Sequence, residues 1–422
     1  GIRYLVRSRG LGDVYKRQYK RLRHEPESWT VEIHTVEVYV GTDGDHQDEF
    51  LRGNRPKDLL RNSIVTSSLL ASILNVKYVN SSALHRIEQE FQRNGVNISR
   101  QTMSNWIVKC SQMYFTPFVK RMKQELLSLH VTQSDETPTQ VIADSDHPNS
   151  KCYMWVHRSG EFYTRRPIVI YEYQKGRDHQ KPLDFYKDYK GILVTDSLQQ
   201  YHLVDKKLAD VTNANCWAHA RRDFADAVKA ADKKDPSSVR QSAAYQALQK
   251  IAEFYNADTE LKELSSKERL QKRQELIKPM VEEVFAWVKQ QASDCTVPPK
   301  SKTGHGLNFV INQEKYLRVF LEDGDVPIDN SASEKAIRTF CLGKKNWMFH
   351  NTAKGASASA MVYSISETAK LNNLRPYYYF KYILTELPEL CDERGNIDPT
   401  KLDYLMPWSD SLPDECRKPR RS

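Results

Sequence analysis

Two short β-prone runs, Val131-Thr-Gln-Ser-Asp135 and Gly191-Ile-Leu-Val-Thr-Asp196, each end on an aspartate. Open α/β sheets gather their sites at the carboxyl ends of such strands. A third carboxylate, Glu334, lies in the run Asp329-Asn-Ser-Ala-Ser-Glu334-Lys-Ala-Ile-Arg338. Asn330 or Ser331 is placed to cap a helix there. Glu334 then falls in the first turn, where the helix dipole favours an acid. A fold that serves all three must bring two strand ends and one helix start to a common point.

The surrounding pattern is that of an α/β fold. Strand candidates occupy residues 131–135, 152–157 and 168–173, a short helix 182–189, and further strands 192–196 and 214–217. Three strands, a helix and a fourth strand match the ribonuclease-H-like order, in which the first and fourth strands are central neighbours. Asp135 and Asp196 are then adjacent. Residues 218–321 turn helical and highly charged, broken at Pro236, Pro279 and Pro298-Pro299. Leu248, Ile251, Phe254 and Tyr255, then Leu276, Met280, Val284 and Trp287, give this stretch an amphipathic period. The expected fold is α/β: a ribonuclease-H-like catalytic core with a long α-helical insertion, preceded by a helical helix–turn–helix region. Residues 1–18 of a chain that opens on Gly1 read as a non-native scar. Residues 19–56 form a small β segment, with strands in the alternating run 29–40. Residues 57–127 read as a helical region, the candidate for DNA binding on the grounds given below, with Leu59, Leu60, Ile64, Leu69, Leu70 and Ile73 on its apolar faces. The catalytic domain spans 128–350, with its insertion at about 226–325. Residues 351–422 form a helical segment and, from Asp392, a loose tail.

Lys and Arg outnumber Asp and Glu by 63 to 54, giving a net charge of +9. The excess is concentrated. Residues 51–130 hold twelve basic and four acidic side chains, and Lys335 to Lys354 hold five basic and none acidic. Such clusters suit a polyanionic partner; a generic solvated basic surface is the plainer alternative. Residues 81–91 and 99–113 read as a helix pair, and the Gly in the joint Arg93-Asn-Gly-Val-Asn-Ile98 suits a tight connection. Ser99 is a good N-cap. The second helix offers Arg100, Gln101, Asn105 and Lys109 outward, with Met103, Trp106 and Ile107 for packing. A DNA-binding helix–turn–helix and an ordinary helical hairpin both fit. Arg221, Arg222, Arg338, Lys344 and Lys345 are the other candidates for nucleic-acid contact, the last two suited to gripping phosphates. No apolar run approaches the ~18 residues of a membrane span. Seven cysteines without a Cys-x-x-Cys pair suit a reducing cytoplasm, and neither a disulfide framework nor a four-cysteine zinc site is expected.

Phosphodiester cleavage needs charge neutralised on the phosphate and an activated attacking oxygen. Two Mg²⁺ ions, with Mn²⁺ as the alternative, supply both from a few carboxylates. Asp135, Asp196 and Glu334 have that chemistry. Glu136 is the rival of Asp135 but points the other way on a strand. The bland reading of Glu334 is a helix-start acid paired with Arg338. Cys216-Trp-Ala-His219 lacks a matching metal pair, so a packed Cys and a hydrogen-bonded His in supporting roles are expected. There is no Gly-x-x-x-x-Gly-Lys-Ser/Thr loop, so ATP is not implied.

Several segments together resemble the large transposase subunit of the bacterial insertion-sequence-66 family, a group of DDE transposases. They are Asn75-Val-Lys-Tyr-Val79 with Ile98-Ser-Arg-Gln-Thr-Met-Ser-Asn-Trp106; Ser134-Asp-Glu-Thr-Pro138; Thr195-Asp196 with Tyr201; and Cys216-Trp-Ala-His-Ala-Arg-Arg222. Asp329-Asn-Ser-Ala-Ser-Glu334 with Ile337-Arg338, and Gly343-Lys-Lys-Asn-Trp347, complete the set. The resemblance covers roughly residues 25–387. It implies that Asp135, Asp196 and Glu334 are a catalytic, metal-holding triad. It also implies that Cys216 and His219 belong to the motif following the second aspartate.

Many relatives carry a cysteine-pair zinc finger near the N-terminus. No Cys precedes Cys110 here, and Tyr39-Val-Gly-Thr-Asp-Gly-Asp45 stands where the pair is expected. No zinc is therefore expected. The implied activity is metal-dependent cleavage at transposon ends and transfer of the freed 3′-OH into target DNA. The implied partners are DNA, further copies of the chain assembled on it, and accessory proteins of the same element, in a bacterial cytoplasm at the nucleoid. A nuclease of the same fold that does not join, and a DNA-binding remnant without catalysis, are the competing readings.

Overall fold

The computed structural model describes residues 28–41, 44, 49–53, 57–144, 151–232, 239–294 and 296–419. Residues 1–18, most of residues 42–48, and Pro236 lie outside them. The chain divides into two compact units between Pro56 and Lys57. In the first, β1 (Val38–Val40) pairs antiparallel with β2 (Phe50–Arg52), Val38 opposite Arg52. The strands expected over 29–40 are shorter than the alternation suggests. Val31 and Ile33 are 87% and 89% exposed, and among the described residues no apolar face covers them. Alternation makes a strand only where one face is buried.

The second unit begins helical. Thr66 caps Ser67–Leu74 by accepting from Leu69 N at 3.2 Å. Leu70, Ile73 and Leu74 are buried, whereas Ile64 is 76% exposed and Val65 takes its place. Helices Leu84–Arg93 and Arg100–Cys110 follow, joined through Gly95 at φ +77°. Ser99 accepts from Thr102 N at 3.1 Å, so the expected cap is present. The second helix carries on through Ser111–Phe115 into Thr116–Leu127.

A five-stranded sheet follows. Its strands are β3 (Val131–Thr139), β4 (Cys152–Ser159), β5 (Val169–Gln174), β6 (Gly191–Thr195) and β7 (Val211–Asn215). They lie in the order β5-β4-β3-β6-β7. β4 is antiparallel to both β3 and β5, whereas β6 runs parallel to β3 and β7 parallel to β6. The first and fourth strands of the sheet are thus its central parallel neighbours. Gly191 permits this close approach: at φ +150°, a Cβ there would meet His130 O at 2.2 Å. The last strand begins three residues earlier than expected, and Trp217 opens a helix instead.

The Ala/Ser-rich helix Ala353–Leu371 covers the edge strand β5. Thr368 Oγ1 accepts from Val169 N at 3.0 Å and Ser364 Oγ from Tyr171 N at 2.8 Å. Small hydroxyl side chains let the helix backbone approach while they satisfy an otherwise open edge. The tail expected to be loose is packed: Leu402, Leu405, Met406 and Cys416 are fully buried, and Tyr379 donates to Leu405 O at 2.7 Å. Its apolar residues are too sparse for a periodic signal, and they find partners only in three dimensions.

The helical stretch after β7 builds its core on Trp217, with Phe254 and Phe285 at ring-centroid distances of 4.9 and 5.7 Å. Pro279 does not break it. It occupies the first turn of Lys278–Ser293, where its missing N–H costs nothing. The inward face there is Ile277, Val281, Val284, Phe285 and Val288, while Leu276 is 51% and Met280 36% exposed. Val284 faces inward as expected and Trp287 packs against the core, whereas Leu276 and Met280 give way to Ile277 and Val281. No helix among the described residues is long and apolar enough to cross a membrane.

Candidate active site

The β3–β6 register runs Val131 opposite Ile192 to Gln133 opposite Val194. Extended by two residues, it sets Asp135 beside Asp196, just past the end of β6. Both are half-buried. Burial, then the charges of Glu136, Asp196 and Glu334, push Asp135 up to about 8. Burial and Glu136 push Asp196 up to about 7, although Arg177 and Arg222 oppose the shift. Buried carboxylates set this close repel one another, and each favours the proton or a cation. Asp135 Oδ1 accepts from Glu136 N at 2.8 Å, and Asp196 Oδ1 from Leu198 N at 3.3 Å.

Glu334 comes from helix Ser331–Trp347. Asn330 occupies the N-cap position, but neither it nor Ser331 caps with its side chain. Asp329 Oδ1 accepts from Ser331 N at 2.8 Å instead. This frees Asn330 for another task. Its Nδ2 donates to Ser134 O at 2.7 Å, and its Oδ1 accepts from Gln133 Nε2 at 3.1 Å. Arg158 of β4 donates to Ala332 O at 2.9 Å, Tyr171 of β5 to Ala336 O at 2.8 Å, and Lys344 to Pro138 O at 2.6 Å. The helix is thereby fixed across three strands of the sheet, with Glu334 close enough to Asp135 to raise its pKa. Among the described residues, Glu334 forms no ion pair with Arg338, which is exposed.

Glu136 has a different assignment. Its side chain is fully buried, accepting from Arg177 Nε at 2.7 Å and from Tyr201 OH at 2.7 Å. It is held in a neutral pair, while Asp135 has no ion pair among the described residues. Nothing in the sequence marked Arg177, which follows the turn at Gly176; only the fold brings it to Glu136.

Cys216 and His219 both take part in hydrogen bonds. Cys216 Sγ accepts from Asn330 N at 3.1 Å, which ties the motif after β7 to the start of the Glu334 helix. Burial pushes its thiol up to about 12. Burial and then Arg222 bring His219 down to about 4, so it is neutral and accepts from Arg222 Nη2 at 2.9 Å. The charge of Arg222 also bears on Asp196, opposing the rise of its pKa. Arg221 is exposed.

The outlying basic candidates are placed as follows. Arg100, Gln101, Asn105 and Lys109 lie exposed on one helix, and Met103, Trp106 and Ile107 are buried beneath them. Lys345 is exposed, whereas Lys344 is committed to Pro138. Among the described residues, no three His, Cys, Asp or Glu side chains are already drawn together as ligands of a metal ion.

The Transposase IS66 family model matches residues 62–358, and the IS66 C-terminal element matches 364–408. The chain belongs to the IS66 transposase family. The first match contains β3, β6 and the Glu334 helix together, and the second runs into the packed tail as far as Trp408. Three proteins of Sinorhizobium fredii are similar to this family member. The uncharacterized protein y4qI is 27% identical over 376 residues, covering 86% of this chain and 66% of the relative. The uncharacterized proteins y4hP and y4jD are 26% and 23% identical over 354 and 362 residues, covering 81% and 84% of this chain and 61% and 68% of those relatives. The chain thus spans about two thirds of the length of the relatives it matches.

Proposed function

We propose that this chain is a DNA transposase of the DDE type, with a ribonuclease-H-like core in which Asp135, Asp196 and Glu334 are the catalytic carboxylates. The observation that carries the reading is the parallel β3–β6 register, Gln133 opposite Val194, which extended by two residues puts Asp135 beside Asp196, with the charges of Asp196 and Glu334 both bearing on Asp135. Family membership supports it, and so does the central position of the first and fourth sheet strands.

The donor set fits a hard divalent cation. Asp135 and Asp196 are oxygen ligands without an ion pair among the described residues, and both are pushed towards protonation by burial and by neighbouring carboxylates. Mg²⁺ accepts a few carboxylates and keeps some of its water, and Mn²⁺ suits the same ligands. Held between Asp135, Asp196 and Glu334, such ions would neutralise charge on the phosphodiester and acidify the attacking oxygen. The chain's own residues position this chemistry. Asn330 and Gln133 lock the Glu334 helix to β3, the charge of Arg222 bears on Asp196, and the exposed Arg100, Asn105 and Lys109 offer a DNA-binding face. Assembly of several copies on DNA, with other proteins of the same element, belongs to this reading.

The test uses the full chain with oligonucleotides bearing the element's ends, Mg²⁺ and a target duplex. Cleavage followed by joining supports transposition; cleavage without joining makes the chain a nuclease; binding alone makes it a catalytically inactive DNA-binding protein. Asp135→Asn, Asp196→Asn and Glu334→Gln should each abolish cleavage and leave DNA binding intact. Near-normal cleavage by Glu334→Gln would remove Glu334 from the site.

A further inference from the structure

The helix that presents Glu334 ends in an unusual way. Met348 has φ +66° and ψ −55°, and Phe349 N donates to Trp347 O at 2.8 Å across it. This is the γ-turn with positive φ, rare and strained for a residue with a side chain. Strain of this kind persists where the surroundings hold it, and it gathers at working sites. The turn displays apolar side chains: Met348 is 65% and Phe349 43% exposed. Ile142, 53% exposed, adjoins them, since its N donates to His350 O at 2.9 Å.

The surroundings of the turn are cationic. Lys335 to Lys354 contain five basic residues and no acid. Lys345 and Asn346, one turn earlier, are exposed, and Arg86 of the helix pair reaches Asn346 Oδ1 at 3.5 Å. Lys77 stands 5.7 Å from the Trp347 ring centroid and has no carboxylate partner among the described residues. A strained apolar tip within a positive field suits a polyanion that also offers flat apolar faces. Paired bases hide those faces in the stack; an unpaired base exposes one. Stacking and wedging side chains are how proteins engage such bases.

We propose that the Trp347–Phe349 turn is a contact site for an unpaired DNA base, with Met348 and Phe349 against the base and Lys345 near the adjoining phosphate. The inference rests on the DNA-directed reading above and adds to it the form of DNA that is engaged. A base released from the stack during end cleavage is the natural occupant.

The experiment compares two duplexes that each carry one 2-aminopurine, bulged in one and paired with thymine in the other, titrated with the full chain while its fluorescence is followed. The bulged duplex should bind about tenfold tighter, the scale of one base–side-chain stack. Met348→Ala/Phe349→Ala should lose that preference and bind the matched duplex within about twofold of the parent. Met348→Gly checks the fold separately: it relieves the positive φ, so the melting temperature should rise while the preference falls. An unchanged preference in the double variant overturns the proposal. So does a change in oligomeric state without a change in preference, which would make the patch a protein contact. Equal binding of both duplexes by the parent overturns this inference alone; binding of neither overturns the DNA-directed reading as well.

Discussion

Asn330 Nδ2 donates to the main-chain oxygen of Ser134 across 2.7 Å, and Ser134 precedes Asp135. One buried amide therefore sets the distance between the strand that carries the first carboxylate and the helix that carries the third. Asn330→Ala takes the side-chain donor from Ser134 O and leaves Gln133 Nε2 only its bond to Asp329 O at 3.3 Å, at about 1–3 kcal/mol. It should lower the melting temperature and reduce cleavage more than it reduces DNA binding. Thermal melts and cleavage assays on the same preparation check this.

Cys216 should be inert and structural. With its thiol pushed up to about 12 and its sulfur accepting from Asn330 N, it should resist alkylation in the folded protein at pH 8. Cys216→Ala should destabilise the chain modestly, and Cys216→Ser should recover part of the loss. Mass spectrometry after iodoacetamide treatment reads the first outcome.

The raised carboxylates make a signed prediction for pH. The folded values of Asp135 and Asp196, about 8 and about 7, lie above the ordinary 3.8, so the folded state holds these protons more tightly than the unfolded chain does. Their contribution is fully present below pH ~4 and is lost as pH rises through about 7 to 8. Metal-free protein should therefore lose stability across that window, Asp135→Asn should flatten the loss, and added Mg²⁺ should restore stability at pH 8. Melts from pH 5 to 9 with and without Mg²⁺ decide it.

Arg273 is a buried keystone. Its side chain is fully buried, donates to Asp258 at 2.7 Å, and also donates to the carbonyls of Phe320, Asp323 and Val326, which lead to Asp329. Asp258→Ala leaves that charge unpaired and should cost about 3–5 kcal/mol. Replacing both partners with apolar residues should cost less. Denaturant unfolding of the single and double variants measures the difference.

Arg100→Ala/Lys109→Ala should weaken DNA binding and flatten its salt dependence, because each neutralised phosphate releases counterions. An unchanged slope would make the helix pair a plain structural hairpin. Binding titrations at several salt concentrations give the slope.

The sequence alone determined the local features. Ser99 as a cap, Gly95 in a tight turn, the inward Met103, Trp106 and Ile107, and the strand runs that lead to Asp135 and Asp196 all follow from short-range chemistry, and all are present. The strand order suggested that β3 and β6 are neighbours, because few connections are compatible with it. What only tertiary structure decided depends on partners far apart in the chain. Asn330 gives up capping because Ser134 O lies beside it. Glu136 is withdrawn into a pair with Arg177 and Tyr201, which leaves Asp135 as the carboxylate outside that pair, in the middle of β3 and not at its end, because pairing with β4 carries the strand on to Thr139. On the face of Lys278–Ser293, Val281 replaces the expected Met280 while Val284 stays inward and Phe285 meets Trp217, and the sparse apolar residues of the tail found a core. Hydrophobic period fixes that a face exists; the neighbour it meets fixes which residues form it.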